Sequence, residues 1–149
     1  MGQVHRRQFL NAAAVLLAAP LGSFAQQPGK VWRVGFLVPS SRQAIPDRIG
    51  GFVLGLRELG YVEGKNIVIE WRFAEGKYER LRGLAAELVQ MKVDLIVASN
   101  DIGVSVAQQA TATIPIVMVG VSDPVGLKFV ASLSRPAGNI TGIGNYRGD

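Results

Sequence analysis

The sequence predicts an α/β fold: a three-layer, doubly wound parallel sheet with strand order 2-1-3-4-5. Three observations carry that expectation. Between residues 31 and 119, short apolar runs alternate with longer stretches whose apolar residues recur every three or four positions, the pattern of consecutive βαβ units. Some of the short runs are apolar throughout rather than alternating, as strands covered on both faces must be. A chain of 149 residues with 48% hydrophobic content is the size of one domain, and right-handed crossovers leave few topologies for this element order.

Residues 34–38, Val-Gly-Phe-Leu-Val, make the first strand and run into Pro39. Ile45, Ile49, Phe52, Val53, Leu56 and Leu59 follow at helical spacing, and Gly60 stands where such a helix would stop. Residues 66–73 alternate instead, with Ile67, Ile69 and Trp71 on one side and Val68, Glu70 and Arg72 on the other, which suits an edge strand. Residues 78–91 are helical again, with a stripe of Leu81, Leu84, Ala85, Leu88 and Val89. A third strand is expected over 93–98, a short helix over 104–111 and a fourth strand over 114–119. A last helix is expected over 124–133, where Asp123 can cap and Pro124 suits the first helical position. The fifth strand is expected over 139–143. Trp32 and Trp71 lie in or beside strands, so packing against the sheet is expected of both rather than stacking on a ligand.

The residues ahead of this fold are of another kind. Arg6 and Arg7 precede an apolar run from Leu10 to Leu21, interrupted only by Asn11 and Pro20, and a small-residue end at Ser23-Phe24-Ala25. This is the tripartite pattern of a secretory signal peptide over residues 1–25, with cleavage before Gln26. The run is too short for a helix that crosses ~30 Å of hydrocarbon. Arg6-Arg7-Gln8-Phe9-Leu10 has the order of a twin-arginine export signal, so the export machinery is an expected partner through Arg6 and Arg7 and the periplasm the expected location.

Composition then restricts the chemistry. The sequence has no cysteine, so neither disulfides nor thiolate metal sites are open to it, and its single histidine, His5, falls in the segment to be removed. A Ser-His-Asp triad and the usual zinc sites are therefore excluded from residues 26–149, and no metal or cofactor is expected. Removing Arg6 and Arg7 lowers the net charge from +5 to +3. The other basic residues alternate with acids, as at Arg57-Glu58 and Glu79-Arg80, which describes solvated faces rather than a stripe that tracks nucleic-acid phosphates.

Short motifs add nothing. Gly142-Ile-Gly144 with Gly148 is one residue too long for a dinucleotide-binding loop, and Gly60-Tyr-Val-Glu-Gly64-Lys65-Asn66 has one residue too few and no hydroxyl for a phosphate-binding loop. Asn139-Ile140-Thr141 and the terminal Arg147-Gly148-Asp149 are chance-level tripeptides. Topology is more informative. In a doubly wound sheet, ligands bind beyond the carboxyl ends of the strands at the point where the strand order reverses, here between strands one and three. That places candidate ligand-binding residues Ser40 and Ser41 after strand one, Asn100 and Asp101 in the loop Ser99-Asn100-Asp101-Ile102-Gly103 after strand three, and Ser122 and Asp123 after strand four. Capping of the following helices is the competing role for each.

Read together, RRQFL, QQPGKVWRVGFLVP, GLRELGYVEGKNIVIEWRFAEGKYERL, AAELVQMKVDLIVA, ATATIPIVMVGVSDPVG and VASLSRPAGNITG closely resemble bacterial ABC transporter substrate-binding proteins of the tryptophan and tyrosine uptake type. The resemblance runs from the export signal to about Gly142. It implies a type I periplasmic binding protein, in which a ligand sits between two α/β lobes, with residues 26–149 as the N-terminal lobe and the second lobe absent. It also implies a small-molecule ligand, an ABC transporter permease as partner and no catalysis. Relatives usually carry a Gly-Thr-Pro type loop after the third strand, where this sequence has Ser99 to Gly103. Asp101 there would repel a ligand carboxylate, so it is expected either to cap its own helix or to meet a ligand ammonium. Two other readings stand beside solute binding: a non-functional fragment, and a nucleotide- or small-molecule-binding α/β domain with an enzymatic role.

Overall fold

In the computed structural model, residues 29–145 are described, and the fold lies within the unit Val31–Asp149. The export-signal reading of residues 1–25 falls outside the described residues. Strand β1 (Trp32–Val38) leads through a 3-10 turn at Arg42–Ala44 into helix α1 (Pro46–Glu58). Strand β2 (Ile67–Phe73) is followed by a 3-10 turn at Tyr78–Arg80 that continues as α2 (Leu81–Gln90). Then come β3 (Leu95–Ser99), α3 (Asn100–Ala110), β4 (Ile116–Val121) and β5 (Ile140–Gly144). All strand pairs are parallel, in the order β2-β1-β3-β4-β5, the topology expected from the sequence.

The sheet has two differently covered faces. On one, Leu37, Ile96, Ala98, Ile116, Met118 and Val121 pack against Leu81, Ala85 and Leu88 of α2 and Val104 and Ala107 of α3. Contact there is close enough that a Cβ on Gly35 would lie 2.8 Å from a Leu88 methyl. On the other face Val34, Phe36, Val38, Ile67, Ile69 and Val97 meet the half-buried Ile45, Phe52, Val53 and Leu56 around α1. Beyond α1 this face is bare: Val119 is 41% and Ile143 72% exposed.

Helix ends follow local chemistry. Gly60, at φ +86°, closes α1: its N–H donates to the Arg57 carbonyl at 3.0 Å, and the Tyr61 N–H reaches back to Leu56 at 2.8 Å. This double bond pattern needs a left-handed residue, which glycine adopts without steric cost. Trp71 packs as expected, stacked 4.8 Å from Phe36 and 5.9 Å from Phe73, whereas Trp32 is 41% exposed at the start of β1.

Two expectations are corrected. No helix forms over residues 124–133. Asp123 does cap, its Oδ1 accepting from the Gly126 N–H at 2.8 Å, but one turn later Lys128 takes φ +59° and the chain leaves helical geometry. Gly126 is a poor helix former, and burial of Phe129 and Val130 in the core fixes the path instead. The helix expected over 104–111 begins at Asn100, so the polar residues read as a loop are mostly its first turn.

Candidate functional site

Beyond the carboxyl ends of β1, β3 and β4 lies an open cleft of about 630 Å³. It sits at the switch point of the strand order, where β1 leads to α1 on one face and β3 leads to α3 on the other. Its floor is apolar, from Phe36, Val38 and Pro39, and α1 lines one side through Ile45, Arg48, Ile49 and Phe52. Ser40, Ser99, Asn100 and Asn145 supply the polar rim, with Gly120, Val119 and Ile143 opposite. Other cavities among the described residues lie elsewhere: one of about 480 Å³ beneath residues 125–140, one of about 450 Å³ between α2 and α3, and one of about 380 Å³ at the amino ends of the strands between Trp32 and Tyr61.

Each wall has a local cause. Asn100 leaves β3 with φ +56°, a left-handed conformation that Asn tolerates better than most residues. The sharp turn starts α3 at once, and the Asn100 Oδ1 accepts the Gly103 N–H at 3.0 Å. Asn100 thus caps the helix with its own side chain, and Gly103 lies against Pro39 of the neighbouring loop. On β4 the pairing register shifts between Val119 and Val121, with Gly120 at φ +70° taking up the extra residue. Such a bulge turns Val121 back into the core and leaves Val119 at the cleft.

Of the six residues singled out in the sequence, the cleft lining takes in Ser40 and Asn100. Asp101 has a role that sequence reasoning did not foresee. It neither caps α3 nor faces the cleft: Oδ1 accepts the Ser122 backbone N–H at 3.0 Å and Oδ2 the Ser122 hydroxyl at 2.8 Å. The two thereby tie the first turn of α3 to the end of β4. Asp123 is engaged with Gly126, and the Ser41 carbonyl accepts the Ala44 N–H at 3.2 Å in the 3-10 turn. Arg48, Phe52 and Asn145 were missed. Arg48 was within reach of sequence reasoning, since it lies three residues after Ile45 and four before Phe52, on the stripe expected to face the sheet. Asn145 follows β5, and its place at the cleft depends on the register shift in β4, which lets its N–H donate to the Val121 carbonyl at 2.7 Å.

Among the described residues no group of His, Asp or Glu could hold a metal ion, and no helix is long and apolar enough to cross a membrane. A doubly wound parallel sheet of this order with a part-polar cleft at its switch point is the architecture of the periplasmic-binding-protein class of α/β folds. Residues 33–147 match the family described as ABC transporter substrate binding protein, and the chain belongs to that family. It is 38% identical over 96 residues to the tyrosine-binding protein of Clostridioides difficile (strain R20291), spanning 64% of this chain and 28% of that one. A substrate binding protein with adhesive properties from Clostridium difficile, in its ligand-free open structure, is similar at 30% identity and TM-score 0.73, over 78% of this chain and 40% of that one. An ABC domain in complex with L-Trp from Streptococcus pneumonia gives 27% identity and TM-score 0.72, over 78% and 39%. The chain thus spans two fifths or less of these relatives' lengths.

Proposed function

We propose that the chain forms a ligand-binding lobe of an exported solute-binding component of an ABC importer, and that its cleft holds a small, amino-acid-like molecule without covalent chemistry. The observation that carries this reading is the 630 Å³ cleft at the switch point of the sheet. The relatives support it, one being named a tyrosine-binding protein and another solved with L-Trp. The cleft lining holds serines and amides but no carboxylate or imidazole that could act as a base beside them, which favours binding over catalysis.

In this reading Ser40 and Asn100 contact the ligand. Asp101, Ser122 and Asp123 act from behind, holding the ends of α3 and β4 in place, and Ser41 shapes the turn that leads to α1. Residues 1–25 direct export, with Arg6 and Arg7 read by the twin-arginine machinery and cleavage after Ala25 releasing the protein into the periplasm, where an ABC permease is the partner. A second lobe would supply the remaining ligand contacts. If a full clamp gives ~1 μM, about 8 kcal/mol, half of that free energy leaves roughly millimolar binding.

An NMR titration of the purified chain with L-tryptophan and L-tyrosine tests both parts. Millimolar dissociation constants with shifts at Ser40 and Asn100 are expected. Sub-micromolar binding would overturn the single-lobe reading, and saturating ligand that leaves those two residues unmoved would overturn the cleft assignment.

A further inference from the structure

The two arginines around the start of α1 are used differently by the fold. The Arg42 guanidinium lies 5.2 Å from the centre of the Trp71 ring and 5.1 Å from that of Phe73, a cation–π contact with both rings outside the cleft lining. Arg48 stands on the cleft wall, exposed, with no hydrogen bond or ion pair among the described residues. Its side chain is the cation of a cleft whose lining contains no Asp or Glu.

Asp47, the residue before Arg48 in the first turn of α1, forms no ion pair with it among the described residues and is not part of the cleft lining, and the acids that follow β3 and β4 are engaged elsewhere. Asp101 spends both oxygens on Ser122, and Asp123 accepts from Gly126. Asn100 has its carbonyl oxygen committed to the Gly103 N–H, which leaves its amide N–H groups as what it can offer a ligand. That same bond occupies one of the free N–H groups at the start of α3, so the helix end is partly closed to an anion. The cleft therefore presents serine hydroxyls, amides and one positive charge, with no carboxylate among them, above an apolar floor where Phe36 and Phe52 meet edge to face at 5.1 Å.

We propose that Arg48 is the residue of this lobe that reads a ligand carboxylate, and that the lobe selects compact monocarboxylates with a flat apolar body while leaving any amine of the ligand unread. The inference rests on the reading of the cleft as the ligand site. A guanidinium suits the task because its planar fork can meet both oxygens of a carboxylate at once. No competing acid in the lining has to be displaced first.

Three probes separate the groups of the ligand: L-tryptophan, indole-3-propionate, which lacks the amine, and tryptamine, which lacks the carboxylate. NMR titration of the chain is expected to give dissociation constants for the two acids within about threefold of each other, and tryptamine at least about tenfold weaker, the size of a lost hydrogen bond to a charged group. Arg48→Gln should weaken both acids about tenfold and leave tryptamine where it was, while Arg48→Lys, which keeps the charge but not the fork, should recover part of the loss. Arg48 is exposed on α1, so both variants should keep the dispersed spectrum of the folded chain. If the acids shift Ser40 and Asn100 equally well in Arg48→Gln, the carboxylate assignment is overturned and the cleft reading stands. If no probe moves the cleft residues, the cleft reading is overturned and this inference with it.

Discussion

Replacing Asp101 by Ala removes a clamp between two residues that lie 21 positions apart in sequence, one in α3 and one just past β4. Two hydrogen bonds to a carboxylate are lost, at 3.0 and 2.8 Å, both to the exposed Ser122. A hydrogen bond to a charged group in a protected setting is worth more than this pair should be, because water can satisfy Ser122 once Asp101 is gone. About 1–2 kcal/mol for the two together is the expected loss. Asp101 also places a negative charge in the first turn of α3, where removing it from the positive end of the helix adds about 0.5 kcal/mol. For a domain of this size roughly 4 °C per kcal/mol converts the sum into a fall in Tm of about 6–10 °C. Thermal unfolding followed by circular dichroism measures it. Ser122→Ala, which keeps the backbone bond, should cost about half as much, and the double variant little more than Asp101→Ala alone, because the two changes remove a shared interaction. A Tm for Asp101→Ala within 1 °C of the parent chain would refute the clamp. If ligand binding vanished at the same time, the carboxylate would instead belong to a ligand ammonium.

Three further outcomes follow from the packing. Gly35→Ala places a methyl 2.8 Å from the buried Leu88 and should cost about 1–3 kcal/mol by denaturant unfolding. Leu88→Ala alone should cost about 2–5 kcal/mol, and the two together less than their sum, since the new methyl occupies part of the vacated space. Asn100→Ala should destabilise by about 2 kcal/mol, from the lost cap and an alanine forced to positive φ, while Asn100→Gly should cost less because the φ of +56° suits glycine. The exposed Ile143 on edge strand β5 is expected to make the chain self-associate at high concentration, and Ile143→Lys should reduce that association in sedimentation velocity without lowering Tm; equal association of both chains would show that this strand is not what pairs.

Much of the scaffold was readable in the chain. The run from Val34 to Val38 and the alternation from Ile67 to Phe73 are periodic within a few residues, and periodicity is set by local backbone geometry. Gly60 marks the end of α1 because only the residues immediately before it take part in the closing bonds. The same kind of signal misled over residues 124–133. Asp123 and Pro124 do open a turn, but helix propagation there competes with burial of Phe129 and Val130, and local propensity cannot weigh that against the core.

The candidate site shows the same division. Sheet order and right-handed crossovers, both legible in the sequence, put Ser40 and Asn100 at the cleft. Residue types fixed what the site could not be, since residues 26–149 contain neither His nor Cys. Only the tertiary structure decided which polar groups face the cleft. Asp101 turns toward Ser122 because β3 and β4 lie side by side and bring the start of α3 against the end of β4. Such pairings depend on distances between segments far apart in the chain, and folding fixes them through the burial of the strands rather than through any preference of the polar residues themselves.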